Sequence, residues 1–304
     1  MMSKKRVSLF LALLMMLSMA TVMAESNTIT VTDMFGREVT IEGPVTRIIA
    51  LEPSDCEMLC ALGCEDALVG RGKYCDYPAS VLELPAVQSG ANTNLEEILA
   101  LNPQVVVMSD MAHTTEQVEL LEQNGIRVIG TDANSIEEVY ANIRLLGMVM
   151  GKEAEAEALV ARMQQTFADV AAKCGQTDKT IYFEVMPLEW GLWSAGSGTF
   201  MHELAEICGM KNAFADIEGW QQVSQEQVIE RNPDYIVLVT GMGEAAVDEV
   251  MARAGWEGIT AIQNGDVYNA DSYAMTRPAP RLMEAVIDLY NFLYDIVEEE
   301  MPAA

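Results

Sequence analysis

Two stretches of this chain repeat each other at a fixed distance, and that repeat restricts the fold more than any other feature. Residues 95–109 read LEEILALNPQVVVMS, and residues 225–239 read QEQVIERNPDYIVLV. Glu96 matches Glu226, Leu99 matches Ile229, Asn102 matches Asn232 and Pro103 matches Pro233, all at one offset of 130. After ten more inserted residues, Gln123-Asn124-Gly125 matches Gln263-Asn264-Gly265. Each block predicts a short helix, an Asn-Pro turn, a buried strand and a second helix stopped at Asn-Gly. A helix–Asn-Pro–strand connection is common by itself, but two matched blocks in the same order indicate two lobes of one design.

The apolar runs agree with that division. Arg47–Leu51, Val105–Met108, Ile126–Ile129, Ile181–Val185 and Tyr235–Val239 are continuous apolar segments between helical patterns. Such runs predict parallel strands covered on both faces, hence an α/β fold. The opening Thr28–Ile41 alternates apolar and polar around Gly36 and predicts an edge hairpin. Ser135–Met150 and Lys152–Cys174 read as helices without proline. The second, rich in alanine and glutamate, predicts a stiff link rather than a flexible hinge. The expected division is 25–150 for a first lobe, 151–175 for the linking helix and 176–304 for a second lobe, which a helix from Arg281 to Glu299 closes.

Residues 1–24 predict the compartment. Lys4, Lys5 and Arg6 precede an apolar run from Val7 to Ala20, and Val22 and Ala24 fit a cleavage site ahead of Glu25. That is the layout of a secretory signal peptide, with an uncleaved anchor as the alternative. The first cysteine is Cys56, so no cysteine stands at the junction to carry lipid. Roughly 280 residues remain, enough for two domains. The net charge of −28 argues against nucleic acid and anionic membrane surfaces as partners. Cys56, Cys60 and Cys64 recur at every fourth position along one helical face and read as core thiols. Cys64 and Cys75 can pair in an oxidising compartment, while Cys174 and Cys208 leave the connectivity open.

Over nearly the whole mature chain the sequence resembles the class III periplasmic binding proteins for ferric siderophores, haem and cobalamin. The resemblance rests on TVTDMFGREVTIEGPVTRIIALEPS, LVGRGKYCDYP, NLEEILALNPQVVVMS, AGSGTF, SQEQVIERNPDYIVL and RPAPRL, in that order and spacing. It implies two Rossmann-like lobes joined by one long rigid helix, a ligand cleft between them and little movement on binding. It implies a monomer that delivers a metal chelate to the membrane permease subunits of an ABC importer. It also implies that one glutamate on each lobe docks on the permease, at the positions of Glu96 and Glu226. Asn94-x-x-Glu97 and Ser224-x-x-Gln227 are capping-box spacings, so Glu97 and Gln227 serve the backbone and leave Glu96 and Glu226 spare.

In open α/β sheets ligands sit beyond the carboxyl ends of the strands. The expected cleft loops are Glu52–Ser54, Arg71–Tyr74, Ser109–Met111, Glu184–Trp193, Thr240–Gly243 and Asp271–Arg277. From these the expected ligand residues are Pro53, Ser54, Arg71, Lys73, Tyr74, Asp110, Met111, Trp190, Trp193, Met242 and Arg277. The aromatic residues suit a large flat ligand, and Arg71, Lys73 and Arg277 suit an anionic ferric chelate. Pairing of Arg277 with an acid such as Asp271 is the structural alternative. A corrinoid or haem is the alternative ligand, with His113 or Tyr74 as candidate axial ligands. Direct zinc or manganese capture needs several converging imidazoles or carboxylates, and the chain has two histidines, His113 and His202. No G-x-S-x-G elbow, phosphate loop or dinucleotide fingerprint is present, so a binding protein is expected rather than an enzyme, and no cofactor is implied. A cell-envelope hydrolase or scaffold is the alternative of another class.

Overall fold

A computed structural model describes residues 28–90, 92–109 and 114–296. The expected signal segment, residues 1–24, and Asp110, Met111 and His113 lie outside the described residues. Strands β1 (Thr28–Thr32) and β2 (Glu38–Glu42) form an antiparallel hairpin. It makes its own two-stranded sheet rather than extending a larger one. A parallel sheet follows, built from β3 (Ile48–Ala50), β4 (Leu68–Gly72), β5 (Ala86–Val87), β6 (Val105–Ser109) and β7 (Arg127–Thr131) in the order β5-β4-β3-β6-β7. Helices α1 (Pro53–Ala61), α2 (Leu95–Leu101) and α3 (Thr115–Gln123) connect its strands. The hairpin turn covers the edge strand β7. Met34 N donates to Gly130 O, Gly130 N donates to the buried Asp33 carboxylate, and the Phe35 ring fills the space where a Cβ on Gly130 would stand. An edge strand so covered offers no free ladder to another chain.

Helices α4 (Ile136–Met150) and α5 (Glu153–Lys173) come next, divided at Gly151, whose left-handed backbone caps α4. The second sheet comprises β8 (Thr180–Glu184), β10 (Lys211–Asn212), β12 (Tyr235–Leu238) and β13 (Val267–Asn269), all parallel, in the order β10-β8-β12-β13. Strand β9 (Trp193–Ala195) pairs with β11 (Trp220–Gln222) in a small antiparallel sheet. The remaining helices are α6 (Phe200–Ile207), α7 (Gln225–Arg231), α8 (Ala245–Met251), α9 (Thr260–Asn264), α10 (Ser272–Thr276) and α11 (Leu282–Leu293).

Strand alternation explains why the two sheets do not behave as separate bodies. Val105 and Val107 of β6, Ile181 and Phe183 of β8, and Tyr235 and Val237 of β12 all enter one continuous apolar core. Their neighbours Val106, Tyr182, Ile236 and Leu238 face outward into two smaller clusters under the outer helices. Helix α5 adds Leu159, Val160, Met163 and Phe167 to the shared core, so it is packed along its length instead of standing free between lobes.

The repeated blocks take matching conformations. Asn102 and Asn232 both adopt a left-handed backbone, at φ 47° and 46°, and end α2 and α7 just before the prolines. Gly125 and Gly265 are likewise left-handed, each just before the next strand. The caps differ in detail. Ser224 and Gln227 form the expected capping box, whereas Glu97 sends its carboxylate to Gln88 N, 2.8 Å away, while Asn94 Oδ1 caps α2 alone. The expected three-cysteine helical face is also shorter, because α1 ends at Ala61 and the chain turns at Gly63. All six thiols are free. Cys64 lies beside Lys152 and Glu155 and Cys75 beside Cys56, so the Cys64–Cys75 bridge that the sequence allows is not formed.

Candidate functional site

The strand order reverses between β3 and β6 in the first sheet and between β8 and β12 in the second. Beyond those carboxyl ends lies a cavity of about 420 Å³ shared by both lobes. The first lobe lines it with Glu52, Pro53, Ser54, Ser109 and Asn134, and the second with Val185, Phe200, Trp220 and Arg277. Pro53 and Ser54 reach it because they form the first turn of α1, where a proline lacks only an amide hydrogen that the helix would leave unpaired anyway. Trp220 and Phe200 meet at 5.4 Å between ring centroids and form an aromatic wall. Neither was legible as a cleft residue, because Trp220 lies on β11 of a small separate sheet and Phe200 opens α6, so neither directly follows a strand of the large parallel sheets.

Two carboxyls beneath the first-lobe wall are unusual. Asp55 is fully buried and accepts from Thr131 Oγ1 at 2.7 Å and Asn142 Nδ2 at 3.0 Å. Burial pushes its carboxyl up to about 6 despite those two donors. Glu52, which borders the cavity, is pushed up to about 7, first by burial and then by the charge of Asp55. The cleft floor therefore carries a carboxyl that titrates near neutral pH.

Two of the three expected cationic residues, Arg71 and Arg277, are already engaged. Arg71 is buried, and its Nη1 donates to the carbonyls of Gly72, Lys73 and Cys75, so it shapes the loop that carries Tyr74. Arg277 lines the cavity, but its Nη1 lies 2.9 Å from Glu57 and 2.7 Å from Asp76, with the Tyr273 ring 4.1 Å beneath the guanidinium. Its partners are these two acids, while Asp271 stands 3.8 Å from Arg281 instead. Lys73 is exposed, 5.7 Å above the Tyr74 ring.

The expected aromatic residues follow strand ends but do not enter the shared cavity. Tyr74 and Trp190 are 61% and 63% exposed, too open for the packing role that would otherwise account for them. Trp193 lies on β9, and Met242 lines a separate second-lobe cavity of about 350 Å³ with Leu188, Leu238 and Thr240. Glu184, which lines that cavity, forms a two-pronged ion pair with the buried Arg253 at 2.8 and 3.0 Å. Sequence reading missed Arg253, which stands two residues beyond the end of α8 and belongs to no motif. His202 stands on α6, 3.4 Å from Glu206. Among the described residues no three His, Cys, Asp or Glu side chains converge on a possible metal position.

Glu96 and Glu226 occupy corresponding exposed positions in the first turns of α2 and α7. The Glu226 carboxyl is held below the usual range by its own backbone amide and by Ser224.

Residues 48–274 match the Periplasmic binding protein family. The chain belongs to that family. It is 33% identical over 273 residues to YvrC, an uncharacterised ABC transporter substrate-binding lipoprotein of Bacillus subtilis (strain 168), covering 88% of this chain and 85% of that one. It is 30% identical to the vitamin B12-binding protein of Salmonella choleraesuis (strain SC-B67), covering 82% of this chain and 91% of that one. Among solved structures, the periplasmic vitamin B12 binding protein BtuF of Vibrio cholerae superposes with a TM-score of 0.71 at 27% identity, over 84% of this chain and 99% of that one. The protein is thus a class III periplasmic binding protein, the substrate-binding component of an ABC transporter and not an enzyme. YvrC is named a lipoprotein, whereas here the first cysteine is Cys56. Among the described residues no helix is long and apolar enough to cross a membrane.

Proposed function

We propose that this protein binds a corrinoid outside the cytoplasmic membrane and delivers it to the permease subunits of its importer. The observation that carries this reading is the charge state of the cleft. Arg277, the one arginine among the described lining residues, is neutralised by Glu57 and Asp76, and Arg71 is spent on backbone carbonyls, while Glu52 faces the cavity. An anionic ferric chelate would have to compete with two carboxylates for Arg277 and would meet the partly ionised carboxyl of Glu52. A corrinoid is large and flat and presents neutral amide groups to the protein. Such a ligand suits the aromatic wall of Trp220 and Phe200 and a carboxyl able to accept or donate a hydrogen bond. The curated relatives named vitamin B12-binding proteins, at about 30% identity, support the same class. This choice departs from the anionic ferric siderophore that Arg71, Lys73 and Arg277 suggest in the sequence alone.

Glu96 and Glu226 are the permease-docking residues in this reading, supported by their matched exposed positions on the two lobes. Fluorescence titration tests the ligand, because Trp220 stands in the cleft wall. Cyanocobalamin should quench saturably, and Trp220→Phe should remove most of the change. Saturable quenching by a ferric catecholate or haemin, with none by cyanocobalamin, overturns the corrinoid reading. Docking is tested by changing Glu96 and Glu226 together to alanine: uptake should collapse while affinity for the ligand is unchanged, and surviving uptake refutes the role.

A further inference from the structure

We propose that Glu57, with Asp76, is a positioning device that sets the gap between the lobes before ligand arrives. Glu57 lies on α1 of the first lobe, 3% exposed, and does not line the shared cavity. Its carboxylate accepts three bonds from the second lobe: Arg277 Nη1 at 2.9 Å, Arg281 Nε at 2.9 Å and Arg281 Nη2 at 2.6 Å. Asp76, on the loop after β4, takes Arg277 Nη1 at 2.7 Å. Both guanidiniums lie over aromatic rings, Arg281 over Tyr77 of the first lobe and Arg277 over Tyr273, each at 4.1 Å. The contact is therefore fixed in angle as well as distance, since a planar guanidinium binds a carboxylate and a ring face in definite orientations.

A second set of cross-lobe bonds supports the same gap. Phe200 N donates to Asn134 O at 2.5 Å, and Ile136 N donates to the Glu203 carboxylate at 2.6 Å. Asn134, Phe200 and Arg277 all line the cavity, so residues of its own wall take part in both links. Removing the Glu57 charge leaves two guanidiniums facing each other at a buried interface with Asp76 as the nearer remaining acid. The least costly relief is a small separation that admits water. Ligand must then close the gap at the expense of its own binding energy, which weakens apparent affinity. This inference rests on the shared cavity being the ligand site, and not on which ligand occupies it.

The test compares the full chain with Glu57→Gln, using small-angle scattering, amide exchange and cyanocobalamin titration. Glu57→Gln should broaden the scattering distance distribution, quicken exchange in residues 53–61 and 272–281, and weaken affinity by about tenfold. Glu57→Gln combined with Arg281→Gln should recover the wild-type scattering profile, because a neutral pair replaces the unpaired cation and Arg277 keeps Asp76. Val106→Ala, a core change within the first lobe, should lower thermal stability without altering the scattering profile. If Glu57→Gln does not fold, Asp76→Asn, at a half-exposed acid, should quicken exchange at 272–281 and weaken affinity to a smaller extent. Scattering, exchange and affinity all within twofold of wild type in the folded variant overturn the proposal. If the wild-type chain binds no cyanocobalamin, the corrinoid reading fails, while scattering and exchange still decide the positioning role.

Discussion

Replacing Glu52 by glutamine changes how stability depends on pH, by an amount that follows from its position. The carboxyl borders the shared cavity and is raised from an ordinary 4.5 to about 7, mainly by burial and then by Asp55. A raised carboxyl means the folded chain holds the proton more tightly than the unfolded chain does. Its stabilising contribution is complete below about 4.5, where both states are protonated, and is lost as pH rises through about 7. At about 1.4 kcal/mol per pH unit that difference amounts to roughly 3 kcal/mol, and water at the cavity mouth trims it to about 2 kcal/mol. Urea unfolding of wild type and Glu52→Gln at pH values from about 5 to about 8 measures it. The neutral glutamine has no proton to lose, so the variant should gain about 2 kcal/mol relative to wild type across that range. Parallel stability curves for the two proteins would refute the argument that Glu52 is desolvated. Asp55 contributes its own loss at lower pH, as it passes through about 6, and it is present in both proteins.

Two further outcomes test the second lobe and the hairpin. Arg253→Met strips the cation from buried Glu184, which it holds at 2.8 and 3.0 Å, and should cost about 3–5 kcal/mol in urea unfolding. Gly130→Ala places a methyl group 1.9 Å from the Phe35 ring and should destabilise by about 1–3 kcal/mol in the same assay. Adding Phe35→Leu to Gly130→Ala should recover part of that loss.

Most of the architecture was legible because it is written in local, repeated terms. The offset between Asn102 and Asn232 marks two left-handed caps, and a left-handed backbone is accessible to asparagine at little cost, so sequence and conformation agree. The buried strands announced themselves as apolar runs, since a parallel strand covered on both faces has no polar side to show. The cleft was legible only in outline. Glu52, Pro53 and Ser54 follow a strand end and reach the cavity, but Arg71 follows another and folds back on its own loop. Nothing in the sequence separates those two outcomes, because the acceptors of Arg71 are backbone carbonyls whose direction depends on the folded turn.

By itself, then, the sequence determined two α/β lobes, the matched glutamates on their first helical turns and the absence of catalytic motifs. The tertiary structure decided the charge that the cleft presents. Sequence displays a formal positive charge at Arg277, and only the fold brings Glu57 and Asp76 onto it from the other lobe. Electrostatic character depends on which charges are neighbours in space, and these are separated by 220 and 201 residues along the chain. Arg277 thus lines the cavity while its guanidinium is paired with two acids of the other lobe.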